Sequence, residues 1–273
     1  MCMIFDIISS SCPLLLSSAA ALYTEFAGVM VMFLEGLICF AGFTTYAITY
    51  YTGSLFAGIF LSALLSSFLC ALFYFMVYKF KAHVFISGIA LNLLFGFLTS
   101  FLSVKLFGTR GVLFSETFNE SIGNYKSALI IFTLLSLLIC ICGILFLLFS
   151  KSGLYIRVSG YNSGVLRAKG VNPELYKGLS WLIAGFYAAL AGSFLVIKVK
   201  SFVPNISSGR GWMALAAVFL GKKKGWKISL AVLIFCAADY FSSHIQNYIP
   251  GIPSSVLLAL PYFVMLAIIL VDR

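Results

Sequence analysis

Two carboxylates, Glu35 and Asp239, stand inside long apolar stretches. An ionised carboxylate in hydrocarbon must be offset by water, a partner or a proton, so each marks either a functional contact or a polar clamp between helices. Glu35 falls about two turns from one end of the stretch 27–50. Asp239 falls beyond the midpoint of 227–246, with Ser243 one turn on and Gln246 near the same face. A stripe in 83–107 is the third polar feature: Gly88, Asn92, Gly96 and Ser100 recur every four residues, with Thr99 and Ser103 beside them. At about 100° per residue these six fall within about 120° of helix arc. Small residues let backbones approach and Asn bonds across helices, which makes a packing seam. The same pattern suits the wall of an aqueous path, and the residues alone leave both readings open. The candidate substrate pathway is Glu35, Asn92, Gly96, Thr99 and Asp239.

Enzymatic chemistry finds no such foothold. His83 and His244 are the only histidines, and neither belongs to an H-E-x-x-H pattern or sits beside a cysteine pair. No G-x-x-x-x-G-K-[ST] loop is present to cradle ATP phosphates. No catalytic residue, metal ligand or cofactor is therefore assigned to this chain. The seven cysteines lie almost entirely in apolar stretches, and Cys140 with Cys142 is not a metal-ligand spacing, so they read as small apolar side chains.

The elements that must position these groups follow from composition. Of 273 residues, 62% are hydrophobic and 10% charged, against about 25% charged in ordinary soluble domains. Charge-free runs of about 20 residues have the length of a bilayer span. Such runs separate Lys81 from Lys105, Lys126 from Lys151 and Lys177 from Lys198, while the longer run from Glu35 to Lys79 is broken at 51–54 into two. The predicted fold is all-α, a polytopic helical membrane protein with about 8–9 transmembrane segments in a single domain over 1–273. The segments are 4–22, 27–50, 54–78, 83–107, 127–149, 174–198, 211–221, 227–246 and 254–271. Segment 211–221 is too short to cross as a regular helix and reads as a half-helix or re-entrant piece buried among neighbours. Within 174–198, Ala184, Ala188 and Gly192, with Gly185 and Ala189, form a structural packing seam.

The remaining charges orient the chain. Lys79 and Lys81, then Lys151, Arg157, Arg167, Lys169 and Lys177, then Lys222, Lys223, Lys224 and Lys227 lie in loops an even number of spans apart. The positive-inside rule puts these loops in the cytoplasm, with the C-terminus cytoplasmic and the N-terminus outside. Segments 109–126, 199–210 and 247–253 then face outside. The net charge of +10 is an orientation signal with some attraction for anionic lipid; spread between spans, it makes no face for nucleic acid. The N-terminus has no basic residue ahead of its apolar stretch, so the first span is expected to stay.

The cytoplasmic loop at about 150–177 carries the densest local signals. Ser163 to Lys169 can form a short helix stopped by Gly170, because glycine takes the left-handed conformation cheaply. Asn172 caps the next helix, with Pro173 at its first position and Glu174 in its first turn. A short helix held between two spans at the membrane face reads as a docking element.

Five stretches carry a resemblance: A-G-V-M-V-M-F-L-E-G (27–36), S-G-I-A-L-N-L-L-F-G-F-L-T-S-F-L (87–102), R-A-K-G-V-N-P (167–173), G-R-G-W-M-A-L-A-A-V-F-L-G (209–221) and G-I-P-S-S (251–255). In the right order over nearly the whole chain, they resemble permease subunits of nucleoside and simple-sugar ABC importers in the branched-chain amino acid and ribose permease family. The resemblance implies an all-helical transporter half in the bacterial cytoplasmic membrane. It implies a second permease chain, an ABC ATPase that binds ATP in its own chain, and an extracytoplasmic substrate-binding lipoprotein. It also implies that the loop helix couples to the ATPase through Gly160, Arg167, Ala168, Gly170, Asn172 and Pro173. The implied substrates are purine or other nucleosides, or ribose-like sugars. The family usually has an Asn and a Gly before Glu35 where this chain has Val31 and Phe33, a departure that bears on specificity or on this chain's share of the site. The competing class is a secondary transporter or channel without an ATPase. That class predicts inverted repeats and many intramembrane acids, whereas two acids and no convincing repeat are seen.

Overall fold

The computed structural model describes residues 3–248 and 259–271. Apart from one antiparallel bridge between Leu113 and Phe202, the regular structure of these residues is helical. In chain order the helices are α1 (Met3–Phe26), α2 (Leu34–Thr52), α3 (Leu55–Lys79), α4 (Val84–Phe107), α5 (Glu116–Ile122) and α6 (Tyr125–Phe149). They continue as α7 (Lys151–Tyr161), α8 (Ser163–Ala168), α9 (Pro173–Val199), α10 (Arg210–Leu220), α11 (Gly225–Tyr248) and α12 (Leu260–Val271).

The helices sort into an inner set and an outer ring, and their side chains say why. α3, α4 and α6 turn Phe56, Phe68, Phe97, Phe101, Leu134 and Ile141 outward, a surface that water would not tolerate and lipid does. α1 and α9 lie mostly inside, and α2 is the innermost, with fifteen of its nineteen residues buried. Because α2 touches protein on nearly every side, it can carry polar groups that pair internally. Thr44 bonds Ser62 of α3 at 2.9 Å and Thr45 bonds Ser193 of α9 at 2.7 Å. The seam expected in α9 is used here. A Cβ at Gly192 would come within 2.7 Å of the Gly42 nitrogen of α2, and one at Gly185 within 2.7 Å of Ser66 and Ser67 of α3.

Among the described residues, six helices, α1, α3, α4, α6, α9 and α11, are long and apolar enough to cross a membrane. The expected eight to nine segments are not reached by that measure, for three reasons. α2 is enriched in threonine and carries an acid in its first turn, α10 has 11 residues, and the final segment is described only from 259 onward. Boundaries also shift. α1 runs on to Phe26, and the helix expected from 27 begins only at Leu34, because Gly28 takes φ +73° and ends the first helix. Segment 27–33 is irregular but satisfied internally: Val31 N–H donates to Thr24 Oγ1 at 3.3 Å, and Trp181 Nε1–H donates to the Val29 carbonyl at 2.7 Å. Two helices, α5 and α7, were not expected. The pairing of Leu113 with Phe202 and the bond from Ser121 to the Gly53 carbonyl gather 53, 109–123 and 200–205 at one end. The ion pair of Lys223 with Glu25 and the contact of Gly160 with Gly28 gather 25–28, 160 and 223 at the other.

Candidate functional site

The stretch from Phe202 to Lys223 passes from one end of the bundle to the other, and only its second half is helix. At 11 residues, α10 is about 16 Å long, roughly half the hydrocarbon thickness of about 30 Å. Its first N–H groups therefore point into the bundle instead of into water, and they need acceptors there. Gly209, the capping residue, is left-handed at φ +82° and offers no side chain. Glu35 supplies the cap from the first turn of α2. Its Oε1 accepts from Ser207 Oγ–H and Gly209 N–H, both at 2.6 Å, and its Oε2 accepts from Gly211 N–H at 2.7 Å. A carboxylate on the positive end of a helix dipole with three donors is a fully matched buried charge. Gly211 makes it possible, since a Cβ there would come within 2.6 Å of Glu35 Cα. Glu35 thus occupies the one place at this helix end where an anionic group of a solute would otherwise sit.

The stripe on α4 divides. Gly88 is buried against Met32, Asn92 Oδ1 accepts from Gly36 N–H at 2.5 Å, and Thr99 and Ser103 are buried. The Cys39 thiol lies against the Thr99 side chain and the backbone of Asn205 and Ile206. Gly96 and Ser100 are exposed, and a Cβ at Gly96 would meet nothing within 4 Å. At about 100° per residue the buried members share an arc of about 60°, and Gly96 and Ser100 lie beyond its edge. The inner part is a seam onto α2 and the segment before it. Val31 and Phe33 are fully buried, and Phe33 lies 5.9 Å from the Phe95 ring and 5.4 Å from Trp181, so these departures fill core.

Asp239 sits elsewhere. Its Oδ2 lies 3.7 Å from Arg210 Nη2, at the rim of a cavity of about 430 Å³ that Ser208, Phe235 and Tyr262 also line. The side chains of Ser243 and Gln246, expected as its company, lie outside the described residues. Ser208 and Arg210 also line a second cavity of about 420 Å³, bordered by Ser10, Lys198 and Asn205, with Lys198 Nζ donating to Ser10 Oγ at 2.6 Å. The structure therefore joins Glu35, Asn92 and Thr99 around α2, links Asp239 to them through residues 209–211, and leaves Gly96 apart. Arg210 was missed by sequence reasoning. The signal was there, since it is the only charge between Lys200 and Lys222 and stands beside the glycines that approach Glu35.

The loop helix forms as expected. α8 ends in a left-handed Gly170 at φ +73°, with Val171 N–H donating to Leu166 O at 2.9 Å, and Asn172 Oδ1 accepts from Glu174 N–H at 3.0 Å with Pro173 at the first helical position. Its predecessor α7, capped by Ser150, is helical where the sequence predicts only loop. α7 meets the irregular segment directly: a Cβ at Gly160 would come within 2.7 Å of Ala27 C and Gly28 N. Glu174 ties the pieces together. It lies 3.7 Å from Arg167 of α8 and 3.6 Å from Lys177, and accepts from Tyr74 Oη–H of α3 at 2.7 Å. Ala168 is exposed next to Arg167 on the surface of α8.

A ring of lipid-facing helices around internally satisfied broken segments, closed at one end by short basic helices, defines a multi-pass helical membrane protein. The chain belongs to the family described as the permease component of branched-chain amino acid transport systems, which it matches over residues 3–271. It is similar to the nucleoside ABC transporter permease protein NupC of Lactococcus lactis subsp. cremoris, 26% identical over 279 residues covering 92% of this chain and 86% of that protein. The guanosine ABC transporter permease protein NupQ of Bacillus subtilis is 25% identical over 276 residues, 92% of this chain and 85% of that one. The putative glucose ABC transporter permease protein TsgC13 of Haloferax volcanii is 25% identical over 251 residues, 88% of this chain and 76% of that one. No solved structure matches the chain significantly.

Proposed function

We propose that this chain is the translocation subunit of an ATP-driven importer for nucleosides, with ribose-like sugars as the neighbouring substrate class. The observation that carries the reading is the family match over nearly the whole chain, joined to relatives named as nucleoside and guanosine permeases. ATP is bound and hydrolysed by a partner ATPase, a second permease chain completes the path, and an extracytoplasmic lipoprotein delivers the solute. With α2, the half-helix α10 and α12 counted as crossing, the upper end of the expected eight to nine spans is reached, and the C-terminus lies in the cytoplasm. The lysines at 79, 81, 169, 177 and 222–224 support that orientation.

In this reading the ATPase docks on α7 and α8. A push there reaches segment 27–33 through the backbone contact of Gly160 with Gly28, and α3 through Arg167, Glu174 and Tyr74. Segment 27–33 leads into Glu35, which holds the end of α10, so movement of the break would shift Arg210 and the ion pair with Asp239. Arg210 lines both polar cavities, and its release from Asp239 would let it move out of their shared wall. The solute path runs past Arg210 and Asp239, and Glu35, Asn92 and Thr99 support it from behind. Uptake of labelled guanosine, adenosine and ribose in a strain lacking this chain tests the reading. Loss of nucleoside uptake that the wild-type chain restores is the expected result. Undiminished uptake of all three would overturn the substrate assignment.

A further inference from the structure

A third cavity, of about 500 Å³, opens at the α8 end between α3, α9 and the turn before α4. Its inner wall is Trp181, Val29 and Tyr74, and its rim carries Lys79, Lys81 and Lys177. Glu174 is the acid on that wall, already engaged by Arg167, Lys177 and Tyr74, so the rim stays net positive. The cavity runs into an apolar groove of about 300 Å³ between α3 and α4, and Val77 and Ala82 line both. The groove walls are Phe73, Met76, Phe80, Leu91 and Leu94, on the lipid-facing side of the bundle. A basic hollow continuous with a greasy slot, at the membrane face, matches a molecule with one phosphate and a hydrocarbon tail.

The turn before α4 places Lys81 in a left-handed conformation. Ala82 N–H donates to Val77 O at 3.0 Å and Lys81 N–H to Tyr78 O at 3.3 Å, the closing pattern of a helix that normally ends in glycine. Position 81 holds lysine instead, at φ +50°. Backbone preference alone would favour glycine, so a glycine at 81 would remove the ammonium without straining the turn.

We propose that this site binds an anionic phospholipid, its phosphate on Lys79 and Lys81 with Lys177 behind, and one acyl chain in the α3–α4 groove. The proposal needs only a membrane chain and is independent of the transported solute. The test uses the full chain, copurified with its partner subunits and placed in phosphatidylcholine nanodiscs. Phosphatidylglycerol and phosphatidylcholine probes, each with the same photoactivatable acyl chain, are crosslinked and mapped by peptide mass spectrometry. Labelling of the Met76 and Leu91–Leu94 peptides should favour the phosphatidylglycerol probe by about tenfold, and excess inorganic phosphate should leave it in place. Lys79→Gln with Lys81→Gln should remove the preference. Lys81→Gly, which suits the left-handed backbone and so spares the fold, should weaken it while thermal stability holds or rises. Equal labelling by both probes would make the groove ordinary lipid-facing surface and overturn the proposal. So would full displacement by inorganic phosphate, or labelling that vanishes whenever the ATPase is bound.

Discussion

Glu35 shows how a single buried charge changes meaning with its surroundings. Its carboxylate accepts three hydrogen bonds from 207–211, so removing it strands one hydroxyl and two backbone N–H groups. Each stranded buried donor costs about 1–3 kcal/mol. Glu35→Ala should therefore destabilise the chain by about 3 kcal/mol or more, read as lower thermal stability in detergent and a smaller folded yield. Glu35→Gln keeps one strong acceptor and should fall between. An alanine variant as stable as wild type would mean that α10 does not depend on this cap. Asn92 is milder: it caps one N–H, that of Gly36, and Asn92→Leu should cost about 1–2 kcal/mol. Its transport should fall further than that of Ser103→Ala, whose hydroxyl serves only the Thr109 carbonyl after α4. Wild-type uptake by a normally expressed Asn92→Leu protein would remove the seam from any role in transport.

Among the elements, α7 and α8 are anchored to the bundle at two places, α7 by Gly160 on the backbone of 26–28 and α8 by Arg167 at Glu174 of α9. Gly160 lies on the backbone of 26–28, where even one methyl group has no room. Gly160→Ala should lift α7 from the break between α1 and α2. Gly170→Val should strain a left-handed turn by about 1–2 kcal/mol and misaim α8. Arg167→Glu sets a second acid beside Glu174, and through Tyr74 it reaches α3, so it acts deeper than a surface charge change would. Complexes carrying any of the three should assemble, yet hydrolyse ATP at a rate that no longer rises with the loaded binding protein. Substrate-stimulated hydrolysis in membranes measures this, with pull-down of the ATPase as the control for docking. Normal stimulation in all three variants would reduce the loop to a connector.

At the scale of the whole molecule the two ends are chemically distinct, and that asymmetry makes a topology prediction. Lys79 borders the cavity that Glu174 also lines, and Lys223 pairs with Glu25 at 3.1 Å beside the α1–α2 break, so both belong to the α8 end. Glu116 and Glu120 belong to α5 at the opposite end. Single cysteines at 79 and 223, in a background with native thiols replaced, should react with an impermeant reagent only from the cytoplasm. Cysteines at 116 and 120 should react only from outside. Reaction of position 223 from outside would overturn the placement of α10 as a crossing segment.

Much of this was legible in the chain itself. The charge-free runs and the basic loops determined an all-helical membrane fold, because expelling charge from hydrocarbon is a large local effect that needs no tertiary context. The α8 turn was legible for the same reason, since Asn172, Pro173 and Gly170 act on their own backbone. What Glu35 and Asp239 touch was decided only by tertiary structure. Glu35 lies 174 residues from Gly209, and no periodicity within one helix can reveal a cap supplied from another. The break at 27–33 was hidden likewise, because its irregular backbone is acceptable only where Thr24 and Trp181 arrive to bond it. Which part of the α4 stripe faces inward depended on where α2 packs. A repeat of four names a face of the helix, and only the neighbour decides how much of that face is covered.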